Sequence, residues 1–301
     1  MNEDLGRILN KGFGTWSHNY GIAVPFFLNM MASLFILMMA VFIIPFIVAA
    51  TSMSDIGGAS SLTTEESMEL LMSLFSDNIV LVLVLGLIAF LAISFVQSYF
   101  EAGAIGMAQA ASASGHTTFD DMFRAGKDNV FSLFLTRIII SLIFLAGIVF
   151  IIPGMLVMGD FNSFIDNPEN ALLTSMLLIF GFLLWGLYVL IIDIIFSVVR
   201  FGLVLDSLGP MEALEIGYSF FMNNKLVVFL MYLVVIGMSI AINLVGELIS
   251  YVEVLANAWI FLSFVLSFAV IQPLVTVWWT RLYMDRTGKE LYDISDLLEY
   301  P

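Results

Sequence analysis

The chain has 301 residues, of which 61% are hydrophobic and 12% charged, and its mean hydropathy is +1.04. A soluble domain carries roughly twice that share of charge, so the composition excludes a soluble globular protein and indicates a polytopic membrane protein. A formal net charge of −15 argues against nucleic acid as a partner, and the absence of cysteine excludes disulfide scaffolds and thiolate-held metals.

In chain order, Leu5, Ile8, Leu9, Gly12, Phe13 and Trp16 repeat at i, i+3, i+4 and i+7, with Arg7 and Lys11 on the other side. This spacing predicts an amphipathic interfacial helix over 4–16. A first span, about 24–50, follows; it is too long for the apolar region of a signal peptide, about 7–15 residues, so no cleavable signal is expected. The longest connection, 51–78, contains Thr63-Thr64-Glu65-Glu66, a capping-box signal. Met68, Leu71, Met72 and Phe75 then form the apolar stripe of a second surface helix, 62–77. The second span starts at 79 and continues past Phe100 toward Ala111.

The elbow between spans two and three, 112–129, has Thr118 as a cap, Phe119, Met122 and Phe123 as an apolar face, and Arg124 and Lys127 opposite. A short helix ending at Asn129 is expected there. The third span covers about 130–158, with Pro153-Gly154 loosening its end, and the fourth runs from Asn167-Pro168 to about 205. A further elbow spans Val198 to Asn224: Ser207 to Gly209 turn the chain and Pro210 opens a helix, because its missing N–H would be unpaired at that position anyway. The fifth span is about 226–249 and the sixth about 258–283, with a kink expected at Gln272-Pro273. A polar tail, 286–301, closes the chain.

All ten Lys and Arg residues lie in or beside the N-terminus, the two elbows or the C-terminal tail. The connections 51–78, 159–172 and 247–256 hold none. Lys and Arg set membrane orientation, so both termini and both elbows are expected in the cytoplasm of a cell-membrane protein. The expected fold is an all-α integral membrane domain of six transmembrane helices arranged as three hairpins with cytoplasmic amphipathic helices.

The order of elements repeats three times, over about 1–111, 112–206 and 207–285. Asn19, Asn129 and Asn224 precede spans one, three and five, and Gly12 and Gly217 both stand seven residues before their Asn, where the middle unit has Met122. Ile271 to Asp285 aligns with Ile192 to Asp206, pairing Gln272 with Asp193. Val96 to Ala108 pairs Gln97 with Asp193 and Gly106 with Gly202. These matches predict an internal triplication in which each even helix carries one polar residue at equivalent depth.

VLDSLGPMEALEIGYSF, together with GKDNVFSLF and PLVTVWWTRLYMDRTGK, resembles archaeal multi-pass membrane proteins of unknown function that are similar to the glycerophosphoryl diester phosphodiesterase membrane domain. The resemblance extends over the whole chain and implies a membrane-embedded helical domain. Those relatives often carry Glu at the position of Asp206 and basic residues near Glu215 and Ile216, and this chain has neither, so the resemblance implies no shared headgroup contact there. The soluble phosphodiesterase domain that names the family has no counterpart in this sequence.

An ionisable group inside the bilayer costs several kcal/mol, so each is a functional candidate. Asp193 stands about 20 Å along its helix from Asp206, and Arg137 about 12 Å beyond Asn129, at overlapping depths. Three readings follow: a structural Arg137–Asp193 pair, a proton or solute site lined by Gln97, Asp193 and Gln272, or a neutral, hydrogen-bonded Asp193. Glu101 and Arg200, nearer the cytoplasmic ends, are expected to snorkel. No phosphate loop, nucleophile elbow, zinc-protease motif or metal-spaced carboxylate pair is present, so no catalytic residue, metal or cofactor is expected.

The sparse intramembrane polar content favours a non-enzymatic membrane component organising lipid or partner proteins; the alternative is a small-solute or proton-coupled carrier using the intramembrane polar residues. The expected partners are membrane lipid and other membrane proteins or copies of the same chain.

Overall fold

The computed structural model describes residues 3–51, 73–158 and 172–292, and all regular structure within them is helical. Among the described residues, six stretches are long and apolar enough to cross a membrane: Tyr20–Val48, Ile79–Ser114, Phe119–Phe150, Leu172–Asp206, Lys225–Ser250 and Leu255–Arg286, spans one to six. Most of the surface helix expected at 62–77 lies outside the described residues; 73–77 are helical.

Helix α1, Leu5–His18, begins where the Asp4 carboxylate accepts the Arg7 N–H at 2.7 Å, and ends at Asn19. Span one is α2, Val24–Thr51, and span two is α3, Ile79–Ser114, closed by Gly115 at φ 83°. That left-handed cap suits glycine and lets the chain turn sharply. Span three is α4, Phe119–Ala146, opened by a capping box between Thr118 and Asp121. No break separates the expected elbow helix from this span. Asn129 donates its side-chain amide to the Ala125 carbonyl at 3.0 Å, a bond that leaves the helix intact.

The end of span three also differs from expectation. The helix gives way to a 3-10 turn at Gly147–Phe150 and then to α5, Ile152–Met158, so it loosens before Pro153. Gly147 is needed there because a Cβ would stand 2.4 Å from the Tyr188 ring. Trp185 Nε1 donates to the Phe144 carbonyl at 3.0 Å and the Tyr188 hydroxyl to the Ile143 carbonyl at 2.9 Å. Span four thus supplies further donors where the α ladder of span three gives way, the Phe144 carbonyl also accepting the Gly147 N–H, which matters where no water can do so.

Span four is α6, Leu172–Phe196, followed after a turn by α7, Val199–Asp206. Helix α8, Pro210–Asn223, leads into span five, α9, Lys225–Ser250. Span six comprises α10, Glu253–Leu266, a π-helical segment at Ser267–Ile271 and α11, Gln272–Arg286. The irregular segment stands just before Gln272-Pro273, where the proline lacks the N–H that would continue the α ladder.

The buried core gathers at the end where the termini and elbows meet: Ile8, Ile105, Ala108, Leu203, Met231, Val277 and Leu282 belong to it. Toward the other end, side chains such as Phe42, Phe46 and Leu248 are exposed, as an acyl-chain environment permits. Small residues let the helices approach. Gly103 and Gly106 of α3 lie against Met122 and Ala125 of α4.

One contact recurs three times. Gly12 of α1 meets Trp278 of α11, Met122 of α4 meets Gly103 of α3, and Gly217 of α8 meets Val199 of α7. Gly12, Met122 and Gly217 each stand seven residues before Asn19, Asn129 and Asn224. The alignment that pairs Gln97, Asp193 and Gln272 places Gly103, Val199 and Trp278 at a single position. The three asparagines also bond alike, each donating to the carbonyl four residues back: Thr15 at 2.9 Å, Ala125 at 3.0 Å and Phe220 at 3.0 Å. Each basic-end helix therefore packs on the preceding even span, and α1 packs on the last.

The N-terminus fastens that last contact. Arg281 Nε and one terminal nitrogen each reach the Glu3 carboxylate at 3.1 Å, and Lys11 Nζ reaches it at 3.0 Å. The Glu3 N–H donates to Asp285, and Arg286 donates to the Glu3 carbonyl at 3.0 Å. Burial alone pushes the Glu3 carboxyl up, but the hydrogen bonds and charges of Arg281 and Lys11 more than reverse this and hold it below the usual range.

Candidate functional site

Gln97 and Glu101 are one helical turn apart on α3, so their side chains project from the same face. Arg137 of α4 lies against that face, donating one terminal nitrogen to Gln97 and the other to Glu101. Arg200 of α7 donates to the remaining Glu101 oxygen at 2.7 Å and stands 5.0 Å from the Phe201 ring centroid. A single carboxylate, 19% exposed, thus holds two guanidinium groups. The cluster carries one net positive charge.

Arg137 and Asp193 do not form the expected pair. Asp193, on α6, accepts the Tyr232 hydroxyl of α9 at 2.5 Å instead. The reason lies in the packing. Helix α4 lies chiefly along α3, and span four meets span three mainly near the 3-10 turn and α5, so the carboxylate within reach of Arg137 is on α3. Gln272 donates to Ser267 on its own span at 3.4 Å.

Two cavities adjoin the Arg137–Glu101–Arg200 cluster. The larger, about 500 Å³, lies among spans three to six, and its polar lining includes Asp193, Tyr232, Ser239 and Asn243. Ile140, Phe144, Phe196, Ile240 and Trp279 supply apolar wall. The smaller, about 340 Å³, is lined by Asn29, Gln97 and Gln272 among others. Glu101, Arg137, Arg200 and Val275 line both. Gln97 and Gln272 therefore share one chamber, and Asp193 faces the other across the charged cluster.

Sequence reasoning assigned Glu101 and Arg200 to the interface and overlooked Tyr232. The repeat offered a signal for the tyrosine: Arg137 is eight residues beyond Asn129, and Tyr232 is eight beyond Asn224. Each contacts the aligned polar residue of the preceding even span, Gln97 or Asp193. The third such position is Phe27, which is exposed, so Gln272 has no matching polar partner.

No family model matches the chain, and no solved structure matches it. The chain is 24% identical over 303 residues to an uncharacterised protein of Archaeoglobus fulgidus, with 95% of this chain and 97% of that protein covered. This likeness and the six apolar helices support a multi-pass membrane protein with a distant archaeal relative. Neither comparison supports the expected kinship with the glycerophosphoryl diester phosphodiesterase membrane domain.

Proposed function

We propose that this membrane protein is a non-enzymatic carrier that takes a small solute into the cavity among spans three to six. The observation that carries this reading is the cavity itself: about 500 Å³ of space bordered by Asp193, Arg137, Glu101 and Arg200. That volume suits a small ligand, and intramembrane ionisable groups beside a cavity mark solute or ion pathways more often than lipid contacts.

The reading places the termini and elbows in the cytoplasm, which the Lys and Arg distribution supports. It also treats the chain as three copies of one hairpin unit, supported by the recurring Gly12–Trp278, Met122–Gly103 and Gly217–Val199 contacts. The charged cluster between the two chambers is then the barrier that a solute passes.

The test is exchange in proteoliposomes, using labelled neutral, anionic, cationic and zwitterionic solutes and an imposed pH gradient. At least one solute is expected to exchange, and Ile240→Trp, which narrows the larger cavity, is expected to slow it. If none exchanges under any gradient, the carrier reading gives way to the organising role.

A further inference from the structure

We infer that the larger cavity binds a compact zwitterion, its anionic group against Arg137 and Arg200 and its cationic group against Asp193 and Tyr232. The inference rests on the carrier reading and names its ligand class.

The charges around the cavity balance but are not neutralised locally. On one wall two guanidinium groups share the single Glu101 carboxylate. Of the five N–H donors that each arginine carries, Arg200 engages one and Arg137 two among the described residues. On another wall, Asp193 is exposed and its one partner among the described residues is the neutral Tyr232 hydroxyl, which occupies one carboxylate oxygen. Arg137 and Asp193 border the same space without coming within ion-pair distance.

In apolar surroundings such a separation is costly, and a ligand lowers the energy most by neutralising both walls together. A net anion would satisfy the arginines and leave Asp193 unmatched. A net cation would do the reverse. A carboxylate or phosphodiester takes the free guanidinium N–H groups well, since the fork geometry favours oxyanions. An ammonium gains from the Asp193 charge and from the Tyr232 ring beside it. Both a free amino-acid-like solute and a zwitterionic lipid headgroup have this chemistry. The apolar wall of Phe144, Ile240 and Phe196 can accept methyl groups or part of an acyl chain.

The experiment measures binding and thermal stabilisation of the full chain in a non-ionic detergent. The probes are trimethylglycine, lysophosphatidylcholine, and acetate and tetramethylammonium as single-charge controls. One of the zwitterions is expected to bind at least tenfold more tightly than either control. Trimethylglycine alone identifies a free solute as the source, and lysophosphatidylcholine alone identifies a lipid headgroup. Asp193→Asn and Arg200→Gln are each expected to weaken binding at least tenfold, while Asp193→Glu, which keeps the charge, retains most of it.

Control binding equal to zwitterion binding overturns the inference, as does zwitterion binding that survives Asp193→Asn. Absence of zwitterion binding, with another solute still exchanged in an Ile240→Trp-sensitive manner, overturns the inference and leaves the carrier reading in place. Absence of both binding and exchange overturns both.

Discussion

Arg137 and Asp193 border one intramembrane cavity, and each has a different partner: Glu101 and Gln97 for the arginine, Tyr232 for the aspartate. Two opposite charges at similar depth are thereby kept apart by the fold.

The first prediction concerns this separation. Glu101→Gln leaves two guanidinium groups without their carboxylate and is expected to destabilise the protein by about 1–3 kcal/mol, less than a fully buried pair because Arg200 is 45% exposed. Thermal unfolding in detergent checks it. A double-mutant cycle on Arg137→Gln and Glu101→Gln should show strong coupling. The same cycle on Arg137→Gln and Asp193→Asn should show weaker coupling, because the two share a cavity but no direct contact. Rescue by the charge swap Arg137→Asp with Asp193→Arg would refute this account.

The second concerns close helix contact. A Cβ on Gly12 would stand 2.5 Å from Trp278 Cδ1, and the indole is held by its own bond from Nε1 to the Leu9 carbonyl at 3.0 Å. Gly12→Ala is expected to cost about 1–3 kcal/mol by overpacking. Gly14, two residues on, has nothing within 4 Å of its Cβ direction. Gly14→Ala should be neutral or stabilising by up to about 1 kcal/mol. Equal destabilisation by the two substitutions would mean that helix α1 does not sit on span six.

The third is a pH dependence at the N-terminus. Arg281 and Lys11 hold the Glu3 carboxyl below its usual range, so the folded state favours the ionised form. Its contribution is fully present above the ordinary glutamate value of about 4.3 and is lost as pH falls through the lowered value. The unfolding midpoint of wild type should exceed that of Glu3→Gln at neutral pH, and the difference should shrink on acidification. A difference that persists in strong acid would assign the effect to packing.

The fourth concerns the broken end of span three. Trp185→Phe removes a donor from the Phe144 carbonyl, which also accepts the Gly147 N–H, and Tyr188→Phe removes one from the Ile143 carbonyl. Each is expected to cost about 1 kcal/mol, the scale of an interhelical hydrogen bond in a membrane. Unfolding in mixed micelles measures both. No loss from the double variant would show that the carbonyls find other donors.

The membrane class, the six spans and the all-helical architecture were legible in residue order alone, because a span of apolar residues must pair its backbone internally wherever water is absent. Residue order also carried the alignment of Gln97, Asp193 and Gln272, since a repeated order of elements is written in residue spacing. Partner choice was decided only in three dimensions. Depth along a helix is proportional to residue number, so the overlap of Arg137 and Asp193 was legible. Rotation about the helix axis and the identity of the neighbouring helix are not, because they follow from where small residues allow close approach. Gly103 and Gly106 bring α4 against α3, and that contact assigns Arg137 to Glu101, leaving Asp193 to Tyr232 across the cavity.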